Sequence, residues 1–194
     1  MTAHTPDIPY EQPEPRLPEA LLHVVPEQAH VAVRDVLRDS QALVLVSGLP
    51  RSGTSMAMKM LDAGGMPVIE DGQRTADEDN PKGYFEDERV KDLAETNDKT
   101  WLANARGKVV KVVSPLLTHL PADNTYKVVF MRRNLHEVLA SQSKMLDRRD
   151  EESHTEDEDL MAMYESHLEK IEFQLRFRPQ FDVLYVNYAD VVAE

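Results

Sequence analysis

Short apolar runs alternate along this chain with longer stretches in which apolar residues recur every three or four positions. The short runs are rich in β-branched residues and predict strands buried on both faces, at 42–46, 66–69, 109–113, 126–131 and 183–186. The periodic stretches predict helices at 24–37, 86–97, 135–149 and 156–177, with another from about Met56 to a stop at Gly64-Gly65. Because strands alternate with helices, we predict a three-layer α/β/α fold with a mostly parallel central sheet.

The first part of the chain has a different composition. Residues 1–25 are rich in proline and show little apolar periodicity, which predicts an extended or disordered arm. Residues 26–194 are enough for one α/β domain with its own core. We expect the arm to wrap around this domain or a partner, or to exchange between the subunits of a homo-oligomer.

The most informative segment joins the first predicted strand to the helix that follows it. It reads Val46-Ser-Gly-Leu-Pro-Arg-Ser-Gly-Thr-Ser55. Amide groups of such a glycine-bounded turn and the positive end of the next helix converge on one point, which favours a bound phosphate. The spacing of Gly48 and Gly53 matches the start of the nucleoside-triphosphatase loop G-x-x-x-x-G-K-[ST], but Thr54 stands where lysine is required. This argues against an ordinary ATPase or kinase, and the cation of the loop is Arg51.

A second candidate phosphate site follows the strand predicted at 126–131. The chain continues there as Arg132-Arg-Asn-Leu-His-Glu-Val-Leu-Ala-Ser141. Arg133, at the strand end, offers a fixed fork of donors to a phosphate, and Ser141 lies about two helical turns further on. The alternative is that Arg133 pairs with Glu137 on the helix surface.

A third segment, 77–87, is polar and has turn chemistry at Asn80-Pro81 and Gly83, so it predicts a loop. It does not fit a calcium-binding EF-hand loop, because Lys82 stands where that loop requires glycine.

Taken together in the order in which they occur along the chain, 46–55, 77–87 and 132–141, the three segments resemble sulfotransferases. The family patterns are P-[KR]-S-G-T-[TS], N-P-[RK]-G-[YFW]-[FW]-E and R-[ND]-P-x-[DE]-x-x-x-S, and the matching segments lie within residues 42–145. Two positions depart from the last pattern: Leu135 stands for its proline, and Glu137 stands for the commoner aspartate.

The resemblance implies a P-loop nucleotide-binding type of α/β fold and a function. The co-substrate would be 3′-phosphoadenylyl sulfate (PAPS), with a hydroxyl or amine acceptor and no metal. Arg51 would neutralise the 5′-phosphosulfate, and Arg133 and Ser141 would hold the 3′-phosphate. The remaining donors to the 5′-phosphosulfate would be Ser52, Gly53, Thr54 and Ser55.

The base that would deprotonate the acceptor is harder to assign. Related enzymes use a histidine or a glutamate beyond the loop helix, and Glu70 is the first candidate, with Asp71 and Glu78 behind it. The alternative is that Glu70 is an exposed loop acid. Lys111 is a second candidate catalytic residue, because a lysine buried in the strand 109–113 needs an anion nearby; alternatively, it points to solvent from an edge strand.

Composition restricts the classes of function. The net charge of −13 argues against a nucleic-acid partner. It does not exclude a nucleotide, which responds to the local cations Arg51, Arg132 and Arg133. Eight of the acidic residues lie in 147–159, which predicts a solvated loop before the next helix or a mobile acidic lid that selects a cationic or neutral acceptor.

Other chemistry is limited as well. The chain has no cysteine and no run of apolar residues long enough to span a membrane, which predicts a cytoplasmic protein. His119, His154 and His167 are interpreted as surface or loop residues, although His119 could instead face a cleft after Pro115.

Sulfotransferases usually continue well beyond the strand that matches 183–190, whereas this chain stops at Glu194. This predicts a domain that is compact or C-terminally incomplete, or one that completes its cleft with a partner chain. Two alternative functions stay open: a kinase-like P-loop enzyme that uses a nucleoside triphosphate, and a non-catalytic nucleotide-binding or regulatory protein. The acceptor is not readable from the sequence.

Overall fold

The computed structural model describes residues 42–73, 83–149 and 157–193. The predicted arm 1–25, the predicted helix 24–37, Glu78 and His154 lie outside the described residues, as does most of the polar segment 77–87.

Five strands form one sheet in which every pairing is parallel. They are β1 (Leu43–Gly48), β2 (Val68–Ile69), β3 (Val109–Lys111), β4 (Tyr126–Arg132) and β5 (Phe181–Asn187). Their order across the sheet is β2-β3-β1-β4-β5. The prediction of an α/β fold with a parallel sheet is confirmed, and each predicted strand is present.

The α-helices are α1 (Thr54–Ala63), α2 (Glu88–Lys91), α3 (Leu135–Arg149), α4 (Asp157–Phe177) and α5 (Tyr188–Val192). The bounds predicted for α3 match, and those predicted for α4 differ by one residue. The predicted helix 86–97 is wrong in length, because α2 passes into a 3₁₀ turn at Asp92–Ala94. Val90 and Leu93 are the only buried apolar residues in this region, which is too little packing to support a longer helix. Among the described residues, no helix has the length and apolar content needed to cross a membrane.

Helices cover both faces of the sheet because successive residues of a buried strand point to opposite sides. Leu43 and Leu45 of β1 pack in the cluster that contains Ile171 and Leu175 of α4. Val44 and Val46 pack in a second cluster, which contains Ala57 and Met58 of α1. The core therefore lies on both faces of the sheet.

The strand order creates a crevice beside β1. After β1 the chain builds β2 and β3 on one side, and it then crosses to build β4 and β5 on the other. Ligands of open α/β sheets bind at such a reversal, outside the carboxyl ends of the strands. The segment after β1 and the segment after β4 both begin at this edge.

Candidate functional site

The turn between β1 and α1 depends on unusual backbone angles. Arg51 has a φ of 66° and Gly53 has a φ of 101°, so two residues of the turn lie in the left-handed region. A non-glycine residue in this region costs about 1 to 3 kcal/mol and is found preferentially at ligand sites. Ser52 holds the turn closed, because its amide and its hydroxyl both donate to the carbonyl oxygen of Leu49, at 3.2 and 2.7 Å.

The start of α1 is open to an anion. Its N-cap is Gly53, which has no side chain to accept a hydrogen bond from the first amide groups of the helix. Such amide groups and the positive end of the helix dipole favour a negatively charged ligand.

Close packing behind the turn requires glycine at both ends. A Cβ on Gly48 would lie 2.7 Å from the carbonyl oxygen of Met131 on the neighbouring strand β4. A Cβ on Gly53 would lie 2.6 Å from Cδ2 of Tyr188 in α5. The turn is therefore wedged between β4 and the C-terminal helix.

The two predicted phosphate segments meet directly. Nε of Arg51 donates to Oγ of Ser141 at 3.0 Å. Nη1 of Arg133 donates to the carbonyl oxygen of Arg51 at 3.0 Å. These contacts form because β1 and β4 are adjacent and parallel, with Gly48 opposite Met131, so both segments leave the sheet at the same edge.

Arg133 is held on three sides. Its Nε donates to Glu137 at 3.0 Å, so the surface ion pair considered as an alternative does form. Its guanidinium also stacks on the ring of Tyr188, with Cζ 4.2 Å from the ring centroid. The side chain is only 20% exposed and lines the cleft described below. The ion pair with Glu137 therefore holds the guanidinium at the cleft rather than directing it into solvent.

Arg132 lies on the opposite face of the sheet, contrary to the expectation that it would contribute to the same cationic site. Its Nη2 pairs with Glu172 of α4 at 2.7 Å, and its guanidinium stacks on Tyr185 at 4.0 Å. The reason is the alternation of side chains along a strand, which sends Arg132 and Arg133 in opposite directions.

Lys111 is buried at the end of β3. Its side chain is 7% exposed, because β3 lies between β1 and β2 rather than at the edge of the sheet. The ammonium donates to the carbonyl oxygen of Tyr84 at 2.8 Å, to Oγ of Ser55 at 3.3 Å and to Oε1 of Glu86 at 3.1 Å. Of the two interpretations of Lys111, a buried lysine beside an anion is therefore confirmed over a solvent-facing one, and the anion is Glu86.

The segment carrying Glu86 reaches Lys111 through a bent backbone. Gly83 and Phe85 have φ angles of 91° and 52°, so two left-handed residues flank Tyr84. This conformation presents the carbonyl oxygen of Tyr84 and the carboxylate of Glu86 to the same ammonium group. The segment is thereby tied to Ser55 at the start of α1.

These groups surround one cleft of about 610 Å³. The cleft is lined by residues from several elements at this edge of the sheet. They are Pro50, Arg51, Gly53, Thr54, Ser55, Met56, Tyr84, Glu86, Asp87, Val90, Lys91, Lys111, Val113, Leu116, Arg133, Ser141, Gln142, Met145, Tyr164 and Tyr188.

Most of the predicted site residues are among them. Two are not: Ser52 is 1% exposed and uses its hydroxyl inside the turn, and Glu70 lies exposed after β2. Asp71 is exposed as well and accepts hydrogen bonds from the amides of Gln73 and Glu88. His119 is exposed at the end of a 3₁₀ helix, outside the cleft lining.

Glu86 is the carboxylate that sequence reasoning did not select. It is the last residue of the matched segment 80–86, and that match was the signal that could have pointed to it. Tyr164 and Tyr188 had no such signal, because only the fold brings α4 and α5 to the cleft.

Neighbouring groups fix the protonation states of two polar side chains in the cleft, Asp87 and Tyr164. Hydrogen bonds from Arg89 hold the pKa of Asp87 below its usual value, because the backbone amide, Nε and Nη2 of Arg89 all donate to the carboxylate of Asp87. Burial raises the pKa of Tyr164, so its hydroxyl stays protonated and donates to Oε1 of Gln142 at 2.8 Å.

His167 is not a surface histidine, contrary to expectation. It is half-buried, and its Nε2 lies 2.9 Å from Oγ of Ser114, which is fully buried. Burial lowers the pKa of this histidine, and the charge of Lys170 adds to the effect. The pair joins α4 to the 3₁₀ helix Ser114–His119 behind the cleft wall.

The described residues include no cluster of three or more His, Cys, Asp or Glu side chains arranged to hold a metal ion. Comparisons with protein-family models, curated proteins and solved structures give no match for this chain.

Proposed function

We propose that this chain is a P-loop sulfotransferase that uses PAPS as co-substrate and a hydroxyl compound as acceptor. The observation that carries the proposal is the direct contact between the two phosphate segments. Arg51 bonds Ser141, and Arg133 bonds the backbone of Arg51, although 90 and 82 residues separate them in the chain. A ligand with phosphates at both ends of a ribose needs two such sites in one cleft.

The 5′-phosphosulfate fits the turn after β1. The open N-terminus of α1, the amides of Gly53 and Thr54, and the guanidinium of Arg51 supply donors and positive charge without a metal. The lack of a Cβ at Gly53 makes room for the ring of Tyr188, which packs against this turn. The 3′-phosphate is assigned to Arg133 and Ser141, which line the same cleft.

PAPS supplies a sulfuryl group bonded to a phosphate that can leave. In the proposed reaction, the bond between sulfur and the bridging oxygen of the 5′-phosphate breaks, and a bond between sulfur and the acceptor oxygen forms. The acceptor proton passes to a carboxylate, and 3′,5′-adenosine bisphosphate remains. Arg51 would neutralise the charge that develops on the leaving phosphate.

Glu86 is our candidate for that carboxylate. It lines the cleft, whereas Glu70 lies outside it. Lys111 would act mainly as a positioning residue, because it fixes Glu86 and the carbonyl oxygen of Tyr84 against Ser55 at the start of α1. A base held within reach of the reacting groups is the first requirement for proton transfer.

Calorimetric titration of the full chain with 3′,5′-adenosine bisphosphate, and with ATP in the presence and absence of magnesium, tests the proposal. We expect micromolar, metal-independent binding of the bisphosphate in preference to ATP. Binding of ATP that requires magnesium would favour a kinase-like enzyme instead. Tight binding of the bisphosphate, without transfer to any acceptor in a broad panel, would favour a non-catalytic nucleotide-binding protein.

A further inference from the structure

The geometry of the cleft points to the class of acceptor. Building on the sulfotransferase function proposed above, we propose that the acceptor is a small, uncharged, predominantly apolar hydroxyl compound, such as an aromatic alcohol. Sugars and charged peptides are poor acceptors in this proposal.

The lining of the cleft combines two kinds of side chain. Arg51, Arg133 and Ser141 form the part assigned to the nucleotide. A second group, called the apolar wall below, consists of apolar and aromatic side chains from four elements: Val90 on α2, Leu116 on the 3₁₀ helix after β3, Met145 on α3 and Tyr164 on α4. Glu86 and Lys111, with Ser55, line the cleft between the β1 turn and the segment that leads into α2.

The side chains of the apolar wall favour an apolar ligand. Removing apolar surface from water is favourable in proportion to its area. Methionine side chains adapt to irregular apolar ligands, and the aromatic rings of tyrosine contact other rings favourably. Pockets of this size are built mostly from such residues, with a few polar groups that orient the ligand.

The polar groups beside this wall already bond one another. The hydroxyl of Tyr164 donates to Gln142, and the carboxylate of Asp87 accepts from Nε, Nη2 and the amide of Arg89. When a sugar enters a cleft, each of its hydroxyl groups must replace a hydrogen bond to water with one to the protein. A hydroxyl group that finds no partner lowers the binding affinity. Here those partners would have to be released from their existing bonds.

The charges along this wall are paired as well. Lys111 pairs with Glu86 at 3.1 Å, and Asp87 pairs with Arg89 at 2.7 Å. Lys91 pairs with Glu88 at 2.6 Å. Among the residues that the structure describes, cations and anions along this wall are therefore paired with one another, and a neutral acceptor avoids the cost of desolvating a charge.

The test compares matched acceptors with the full chain. Transfer from radiolabelled PAPS is measured to 2-naphthol, cyclohexanol, glucose and a tyrosine-containing peptide, and 2-naphthol binding is measured separately without nucleotide. We expect kcat/KM for 2-naphthol to exceed that for glucose and for the peptide by at least about 100-fold, which corresponds to about 2.7 kcal/mol. A preference for glucose or for the peptide would overturn the acceptor class.

Two matched variants test whether the apolar wall is responsible for acceptor binding. Leu116→Gln places a polar side chain of similar size on the wall, whereas Leu61→Gln makes the same change at a partly buried position outside the cleft. We expect Leu116→Gln to weaken 2-naphthol binding about tenfold and to leave bisphosphate affinity within about twofold. Equal effects of the two substitutions on 2-naphthol binding would overturn the inference.

Failure of this inference is distinguishable from failure of the proposed function. If the bisphosphate binds but 2-naphthol neither binds nor reacts, the acceptor class is wrong and the nucleotide site stands. If the bisphosphate does not bind, the sulfotransferase function fails, and 2-naphthol binding that is lost in Leu116→Gln would still establish an apolar ligand site.

Discussion

Arg51 and Ser141 lie 90 residues apart in the chain, and Nε of the arginine donates to Oγ of the serine at 3.0 Å. This bond joins the turn after β1 to the helix after β4. A ligand that contacts both segments therefore meets donors whose relative position is fixed by contacts within the protein, which reduces the cost of ordering them on binding.

Substitutions of Arg51 and Arg133 test the proposed nucleotide site. We expect Arg51→Ala to abolish sulfuryl transfer, because it removes the cation proposed to face the leaving phosphate. Arg133→Ala should mainly weaken binding of the bisphosphate, by roughly 2 to 4 kcal/mol, because it removes charged hydrogen bonds from a partly buried site. Calorimetry and a transfer assay on the purified variants measure both effects.

Arg132→Ala is the matched control for this pair. It removes the neighbouring arginine, whose side chain contacts Glu172 and Tyr185 on the other face of the sheet. Its bisphosphate affinity should stay within about twofold of the unmodified protein. A loss as large as that of Arg133→Ala would show that net charge, rather than the position of Arg133, governs binding.

The partly buried ion pair of Lys111 and Glu86 is expected to contribute to stability. Lys111→Met leaves Glu86 and the carbonyl oxygen of Tyr84 without the ammonium that bonds them, and should lower the free energy of unfolding by about 3 kcal/mol. Adding Glu86→Gln should recover part of that loss, because it removes the negative charge that faces Lys111 in the unmodified protein. Urea unfolding of both variants gives the two values.

An exposed lysine provides the comparison. Lys144→Met replaces a lysine on the solvent side of α3 and should change the free energy of unfolding by no more than about 0.5 kcal/mol. If Lys111→Met costs no more than Lys144→Met, the contacts of Lys111 do not stabilise the fold.

The fold was largely predictable, because its signals are local. The apolar runs that became β1 and β4 are uncharged or nearly so, and the periodic stretch at 135–149 became α3 with the same bounds. The 3₁₀ helices Thr100–Ala105 and Ser114–His119 were missed, because segments of six residues show no clear 3.6-residue period.

The site was predictable only where it lies in contiguous motifs. Arg51, Arg133 and Ser141 belong to such motifs and line the cleft. Tyr188 has no pattern of its own, since its position depends on how α5 packs against the turn. The choice between Glu70 and Glu86 likewise required knowing which loop lies over Lys111, and that contact is set by tertiary packing.

The contact between Gly53 and Tyr188 predicts a steric effect that a second substitution can relieve. Gly53→Ala should destabilise the protein by about 2 to 4 kcal/mol, because it combines a left-handed φ with a Cβ that meets the Tyr188 ring. Bisphosphate affinity should fall with it, since Tyr188 also supports Arg133. Thermal unfolding and calorimetry provide the measurements.

Gly107→Ala separates the two causes. Gly107 has a φ of 72°, and a Cβ there would meet nothing within 4 Å, so only the backbone cost of about 1 kcal/mol remains. The double variant Gly53→Ala/Tyr188→Ala removes the contact between the new Cβ and the tyrosine ring. In the Tyr188→Ala background, the loss of unfolding free energy caused by Gly53→Ala should therefore approach the loss caused by Gly107→Ala. An unchanged cost in the Tyr188→Ala background would rule out the collision as its cause.

The bond between His167 and Ser114 predicts a pH dependence of stability with a definite sign. Burial, with a further contribution from Lys170, lowers the pKa of His167 in the folded protein below its value of about 6.5 in an unfolded chain. Between these two pKa values the unfolded chain binds more protons, so stability increases with pH there. The contribution of the neutral histidine is therefore complete above about pH 6.5 and is lost as the pH falls through the pKa of the folded protein. His167→Asn should be less stable than the unmodified protein at pH 8, and urea unfolding should show this difference shrinking towards pH 5. A difference of the same size at both pH values would mean that His167 stabilises the contact between α4 and Ser114 by packing alone.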